Sequence, residues 1–491
     1  MRNCITGIAC QMRMLWNTGK DLLCSGIDSR PIKNKIGMPY FHKLLVLWLR
    51  GAAYKMSDTW CPIPWNFQAV RSNGDLRVCC QANITKDRGV LRKADGTPYN
   101  AARDDMAESR NSDLMRAVRQ NMMEGKWSNE CGRCRSEESS GMISRRLYEQ
   151  DRWALRRPDV VQHTRNDGSI DTNALPVTYY DLRFGNLCNL ACRMCGPQDS
   201  TGWYEDYQKL ENRDWFMDTH GREQMTKQNG KWSSPSYGWH DNDQFWTQIE
   251  SNAGNVQHVY MAGGEPLLIE RHYEFLQRCI DNGAAANMIV EYNTNMTSIS
   301  KRALDLWTHF KNIQIGASID GYGKVFEYQR YPASWDKVWR NIQKVDRAPA
   351  NIDAWFAYTV TAYNVLHMPE FMRWKLSESG LVKFNNTFKK PIITHHVAHH
   401  PKHLNIRVLP PELKLLVADR FRDFHAWVMA QGFPDNVIAS SKAICASVIE
   451  YMTSGDLHEA HWHTFVSFTA KMDDIRSQRL VDVVPEMAEF L

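Results

Sequence analysis

From about residue 176 the chain alternates between two periods. Short runs rich in β-branched and aromatic residues, at 177–184, 256–261, 288–292, 313–318 and 355–360, predict strands. Longer stretches between them, such as 267–282 and 298–310, repeat apolar positions every three or four residues and predict helices. Strands alternating with helices give βα units and an α/β parallel sheet or barrel. Upstream, 67–71 and 76–79 read as strands joined at Asn73-Gly74, a pair that tolerates the positive φ of a tight hairpin. Residues 114–123 have a helical pattern that ends at Gly125. Residues 157–175 are polar, contain Pro158 and Asp167-Gly168, and read as a linker. Residues 211–242 interrupt the alternation with glycines, Trp215, Trp232 and Trp239, and 411–475 look mainly helical.

Length and composition add limits. A chain of 491 residues with 43% apolar and 23% charged positions can bury a large core in two or three domains. No apolar run approaches the roughly 18 residues of a membrane span. The run at 44–49 is too short for a signal-peptide core, so a cytoplasmic protein without membrane association is expected. Residues 1–55 hold nine basic and two acidic residues, which leaves the other 436 at −2 out of a total of +5. The body therefore lacks the basic balance of a nucleic-acid binder. That bias, and Met56 just ahead of Trp60-Cys61-Pro62, lead us to expect that translation begins at Met56. The alternative is a flexible basic extension.

Thirteen cysteines without a secretory signal point to metal rather than disulfides. Cys188, Cys192 and Cys195 lie within eight residues, directly after the first strand of the βα series. Three thiolates at that spacing can wrap one compact inorganic cluster. A structural zinc site closes with four ligands, and the next histidine is His220. Three ligands leave one metal position open for a substrate. The competing assignment is a zinc knuckle completed from elsewhere in the chain.

This pattern resembles the radical SAM enzymes, whose C-x3-C-x2-C triplet follows the first strand. The resemblance covers residues 176–375. Gly263-Gly264-Glu265-Pro266 after the second strand looks like that family's GGEP motif, which receives the amino group of S-adenosylmethionine. Thr294-Asn295 resembles its Thr-Asn-Gly step, with Met296 in place of the usual glycine. Ser318-Ile319-Asp320-Gly321 follows the fourth strand, and Arg330 stands where relatives set an arginine against the methionine carboxylate. Bottom-up chemistry agrees. Glu265 offers a carboxylate to an ammonium group, Arg330 a forked donor to a carboxylate, and active sites of βα barrels collect at strand C-terminal ends. The resemblance implies a partial (β/α)6 TIM-like barrel and cofactor-binding roles for Gly263, Gly264, Glu265, Pro266, Asn295, Ser318 and Arg330. It implies a [4Fe-4S] cluster on Cys188, Cys192 and Cys195, reduced by flavodoxin or ferredoxin. That cluster would cleave S-adenosylmethionine to a 5′-deoxyadenosyl radical, which takes a hydrogen atom from a peptide or small-molecule substrate.

The upstream cysteines resemble a second element of the same family. Cys61, with Gly74 and Cys79 at spacings of twelve and four residues, matches the opening of SPASM and twitch modules, which carry auxiliary iron–sulfur clusters. Cys131 and Cys134 would complete four ligands. The module normally follows the barrel, and only the one-cluster twitch type has enough cysteines here. Cys80 competes with Cys79, and neighbours in a strand point to opposite faces. A four-cysteine zinc site is the alternative. Glu137, Gly141, Ser144 and Arg146 also look like positions in phage and environmental proteins of this combined type.

The expected organisation is thus a basic extension at 1–55, a small cysteine-rich α+β twitch-like domain at 56–157 and a linker at 158–175. A radical SAM core at 176–375 and a strand and helical region at 376–491 follow. The competing class is a non-catalytic zinc-binding interaction protein that uses both cysteine groups structurally. His395, His396, His399, His400 and His403 invite a metal assignment. They fall on a strand that runs into a loop at Pro401, which spreads the rings over both faces. The tryptophans of 211–242 are expected to pack the insertion down rather than line a groove.

Overall fold

The computed structural model describes residues 59–82, 89–139, 143–210, 226–233, 235–385 and 391–491. The basic extension, Met56 and Gly141 lie outside the described residues. Thr59–Leu491 forms one compact unit.

Its centre is an eight-stranded sheet. The strands are β1 (Phe67–Val70), β2 (Leu76–Arg77), β3 (Tyr179–Arg183), β4 (His258–Ala262), β5 (Ile289–Thr294), β6 (Asn312–Ser318), β7 (Ile352–Val360) and β8 (Thr394–Val397). Their spatial order is β8-β7-β6-β5-β4-β3-β1-β2. Every neighbouring pair is parallel except β1 and β2, which form the hairpin expected at Asn73-Gly74. Gly74 has φ +87°, and a Cβ there would meet Trp239 at 2.9 Å, so both backbone and packing require glycine.

The two faces of the sheet differ. In register, Leu182, Met261, Tyr292, Ile315 and Ala354 make one row, all fully buried. The adjacent row on the other face reads Asp181, Tyr260, Glu291, Gln314 and Asp353. The apolar face packs on helices that include Glu270–Asp281, Lys301–Trp307 and Trp335–Asp346, as amphipathic strands and helices must. The polar face bounds a cavity of about 510 Å³. Tyr179, Asp181 and Arg183 of β3 and His396 of β8 line that same space although four strands lie between them, so the sheet is strongly curved.

The expected division at 56–157, 158–175 and 176–375 differs from the observed packing. β1 pairs with β3 over four residues, from Phe67↔Tyr179 to Val70↔Leu182, so the cysteine-rich unit contributes a strand to the main sheet. The region expected to be a linker is packed. Val160 and Ile170 are buried in the common core, and a Cβ on Gly168 would lie 2.2 Å from the Arg116 carbonyl oxygen. Side chains from outside the stretch satisfy its backbone: Asn111 donates to the Ile170 carbonyl, and Arg119 to that of Gly168. Three long helices, Pro411–Ala430, Asp435–Thr453 and His458–Arg476, follow the sheet. Among the described residues no helix is long and apolar enough to cross a membrane.

Candidate functional site

The loop after β3 holds Cys188, Cys192 and Cys195. Backbone bonds fix it from several sides. Ala191 N donates to Tyr331 O at 2.6 Å, Arg193 N to Gln329 O at 2.8 Å, and Glu265 N to Leu187 O at 2.8 Å. Trp203 Nε1 donates to Cys192 O at 2.9 Å. The Cys195 thiol hydrogen-bonds to Cys192 and, with Arg330, draws the Cys192 thiol down. Burial pushes Cys188 up to about 11. Asn295 Nδ2 lies 3.7 Å from Cys188 Sγ, and Arg330 Nη1 lies 3.8 Å from Cys192 Sγ.

Gly263 and Gly264 adopt φ +81° and +48°, which a side chain would resist. A Cβ on Gly264 would sit 2.3 Å from Leu187 O, and one on Gly263 2.8 Å from the Arg183 carbonyl carbon. The glycines therefore let this turn lie flat against the cysteine loop. Glu265 is buried and joins three loops. It accepts from Thr294 Oγ1 at 2.7 Å, Asn295 N at 2.7 Å and Leu267 N at 3.2 Å. Burial raises its carboxyl to about 7. With about four acceptor positions on a carboxylate, one remains for an incoming ammonium group. Pro266 follows as the first residue of a short 3-10 turn. Met296, in place of the expected glycine, takes φ +62°, which explains why glycine suits that step. Its side chain is fully buried.

Ser318, at the end of β6, faces the 510 Å³ cavity. Asp320 pairs with Arg330 at 2.6 Å and accepts from Thr359 N at 2.6 Å. The fork expected for a carboxylate is thus already partly engaged, while Arg330 Nε stays buried without a partner.

The upstream cysteines also converge. Cys61, Cys79, Cys131 and Cys134 line one small cavity of about 30 Å³. Cys131 and Cys134 are one turn apart, across the 3-10 segment Asn129–Cys131 and the helix Gly132–Ser139. Burial raises all three of Cys61, Cys131 and Cys134, Cys131 to about 12. Cys80 instead lines the large cavity, while its thiol stays in hydrogen-bonding contact with that of Cys79. Arg146 holds the unit together. Its guanidinium reaches Glu138 at 2.8 and 2.5 Å and Trp60 O at 2.9 Å, beside Cys61. Ser144 also donates to Glu138, and Glu137 pairs with Arg133 on the surface.

Among the described residues no group of three or more His, Cys, Asp or Glu side chains is gathered tightly enough to ligate a single metal ion. The cysteine loop nevertheless suits an iron–sulfur cluster, whose irons are spread over a cluster rather than at one point. It has three cysteines with N–H donors turned to two of the sulfurs, whereas the four upstream cysteines line a space of about 30 Å³. The histidines do not converge on one point: His395 bonds Ser447, His399 bonds Tyr451 and packs edge-on against His396, and His403 packs on Phe468. Trp239 packs on Phe184 and Phe245 and donates to Ser72 O. Trp215 and the side chain of Trp232 lie outside the described residues.

Sequence reading missed the C-terminal grip on the cysteine loop. Arg193 Nη2 meets Asp473 at 2.6 Å, and Arg476 Nε meets Asp206 at 2.9 Å. Arg193 and Asp473 are 280 positions apart, so no local pattern could pair them.

Residues 182–361 match the family model of the radical SAM superfamily. The matched stretch holds the cysteine loop, the Gly263-Gly264-Glu265 turn and Arg330, and in it the chain is similar to a radical SAM domain. No curated protein matches the chain significantly. Among solved structures it is similar to native anSMEcpe with bound AdoMet, at 16% identity over 52% of this chain and 62% of that one, TM-score 0.34. The chain thus spans about three fifths of that protein's length. It is also similar to SuiB of Streptococcus suis bound to S-adenosylmethionine, at 13% identity over 71% and 68% of the two chains, TM-score 0.29. TYW1 with a lysine-pyruvate adduct follows at 11% identity over 51% and 72%, TM-score 0.26.

Proposed function

We propose that this protein is a radical SAM enzyme whose cluster is held by Cys188, Cys192 and Cys195. The carrying observation is the meeting of that cysteine loop with Asn295, Arg330 and the Gly263-Gly264 turn. Bound there, cluster and S-adenosylmethionine would supply a 5′-deoxyadenosyl radical for hydrogen abstraction. The chain's own residues bind and orient. Glu265 keeps one acceptor position for the amino group, and Arg330, with Nε unpartnered, turns a donor to the carboxylate. Asn295 holds Asn189 at 3.0 Å and so fixes the loop next to Cys188.

The curved polar face supports a partial barrel, and its cavity is the proposed substrate space. Asp181, Arg183, Glu291 and Asn293 line it, which favours a polar peptide segment or small metabolite. The second cavity suits an auxiliary cluster on Cys61, Cys79, Cys131 and Cys134, in a twitch-like unit built onto the sheet edge. It would take up the electron left after hydrogen abstraction or anchor the substrate. A flavodoxin or ferredoxin would deliver the first electron.

Replacing Cys192 with Ala tests the reading. The variant should lose reductive cleavage of S-adenosylmethionine under dithionite. Persistent cleavage would overturn it, as would zinc in place of iron in the anaerobically purified protein.

A further inference from the structure

The helix His458–Arg476 reaches the cysteine loop from the far end of the chain. Its last residue, Arg476, is buried in a slot between two aromatic rings. The guanidinium carbon lies 4.7 Å from the Trp203 ring centre and 4.8 Å from that of Tyr331. Both rings belong to residues that hold the loop: Trp203 donates to Cys192 O, and Tyr331 O accepts from Ala191 N. Nε of Arg476 is used by Asp206 at 2.9 Å, while Nη1 and Nη2 are buried without a hydrogen-bond partner. An unpaired pair of buried N–H donors is costly and implies something for them to face.

We propose that Arg476 is a positioning residue of the Cys188/Cys192/Cys195 cluster, wedging the cysteine loop in place and supplying a fixed positive charge that raises the cluster's reduction potential. Arg476 is separated from the cysteine loop only by the rings it stacks on, since Trp203 bonds the Cys192 carbonyl and the Tyr331 carbonyl bonds Ala191 N. A reduced cluster carries one more negative charge than an oxidised one, so a nearby buried cation favours reduction. Hydrogen bonds toward cluster sulfurs act in the same direction. Asp206 partly offsets this charge. The proposal rests on the assignment of the cluster to these three cysteines.

The test uses the full chain, anaerobically reconstituted, with redox titration followed by electron paramagnetic resonance. The signal of this cluster is the one that changes on adding S-adenosylmethionine. Arg476→Gln should shift its midpoint to a more negative value with iron content unchanged, and Arg476→Lys should restore part of the shift. Asp206→Asn, which leaves Arg476 uncompensated, should shift the midpoint the opposite way. Mere loosening of the loop would move the Gln and Asn variants in the same direction. An unmoved midpoint in an iron-replete Arg476→Gln protein overturns the proposal. Should that variant fail to load iron, an Asp206→Asn protein with an unmoved or more negative midpoint overturns it equally. A wild-type protein lacking any signal that responds to S-adenosylmethionine overturns the cluster assignment and this proposal with it. An intact wild-type signal with unmoved variants overturns this proposal alone.

Discussion

Arg330 and Asp320 form a buried ion pair, Nη2 to Oδ2 at 2.6 Å, and the same guanidinium reaches the Cys192 sulfur through Nη1 at 3.8 Å. The pair ties the end of β6 to the cysteine loop. Burial raises the Asp320 carboxyl and the Arg330 charge opposes that rise. Removing one partner of such a pair strands the other charge in a dry place, at about 3–5 kcal/mol. Asp320→Ala should lower unfolding free energy by that order in urea titrations. Asp320→Asn keeps an acceptor for Thr359 N and should cost less. Equal losses in the two variants would mean that the charge pair alone, and not the contact to Thr359 N, sets the cost.

The two adjacent cysteines give a sharper contrast. Cys79 shares the small cavity with Cys61, Cys131 and Cys134, whereas Cys80 lines the large one. In a background with Cys188, Cys192 and Cys195 all changed to Ala, about four iron atoms per chain should remain. Adding Cys79→Ser should remove them, and adding Cys80→Ser should not. Retention of iron in the Cys79 variant would reassign the ligand. Stoichiometric zinc without iron would replace the cluster by a structural zinc site.

Met296 sets two effects against each other. Its φ of +62° costs about 1–2 kcal/mol for a residue with a side chain. Its fully buried side chain, on truncation, costs about 2–5 kcal/mol. Glycine also adds about 0.5–1 kcal/mol of unfolded-state freedom. Burial wins, so Met296→Gly should destabilise the protein by about 2 kcal/mol in urea titrations, although it restores the residue the motif favours. A stabilised variant would show that backbone strain at this position outweighs the burial of the side chain.

Much of this site could be read from the chain because its residues are carried by local steps from strand end to loop. Cys188 to Cys195, Gly263 to Glu265 and Asn295 follow, and Ser318 ends, a strand whose hydrophobic pattern is visible. Parallel strands in sequence order then bring those loops to one end of the sheet. What local patterns could not convey was pairing across distance. Phe67–Val70 is only four residues long, and nothing in it specifies β3 as a neighbour, so the cysteine-rich unit looked separate. Residues 157–175 looked like a linker because their buried backbone is satisfied by side chains such as Asn111 and Arg119, not by apolar periodicity. Asp473 and Arg476 sit in a helix whose role depends entirely on partners 280 and 270 residues away.

Lys375 provides a pH test away from every cysteine. It lies in the helix Met368–Ser377, fully buried, with Nζ donating to Phe384 O at 3.1 Å and Pro391 O at 3.3 Å. Among the described residues no carboxylate is hydrogen-bonded to it, and Asp346 acts only at a distance, its own oxygens taken by Val382, Lys383 and Phe384 N–H groups. Burial lowers its pKa to about 7. In the unfolded chain the same amine titrates near 10.4, so between about pH 7 and pH 10 the unfolded state binds more protons than the folded one. Stability from this group therefore rises with pH across that window, by at most about 1.4 kcal/mol per unit, and is flat below it. Urea titrations at pH 7, 8, 9 and 10 should show a rising trend in the parent that is reduced in Lys375→Met. A Met variant that gains stability as steeply as the parent would place the source of the trend elsewhere.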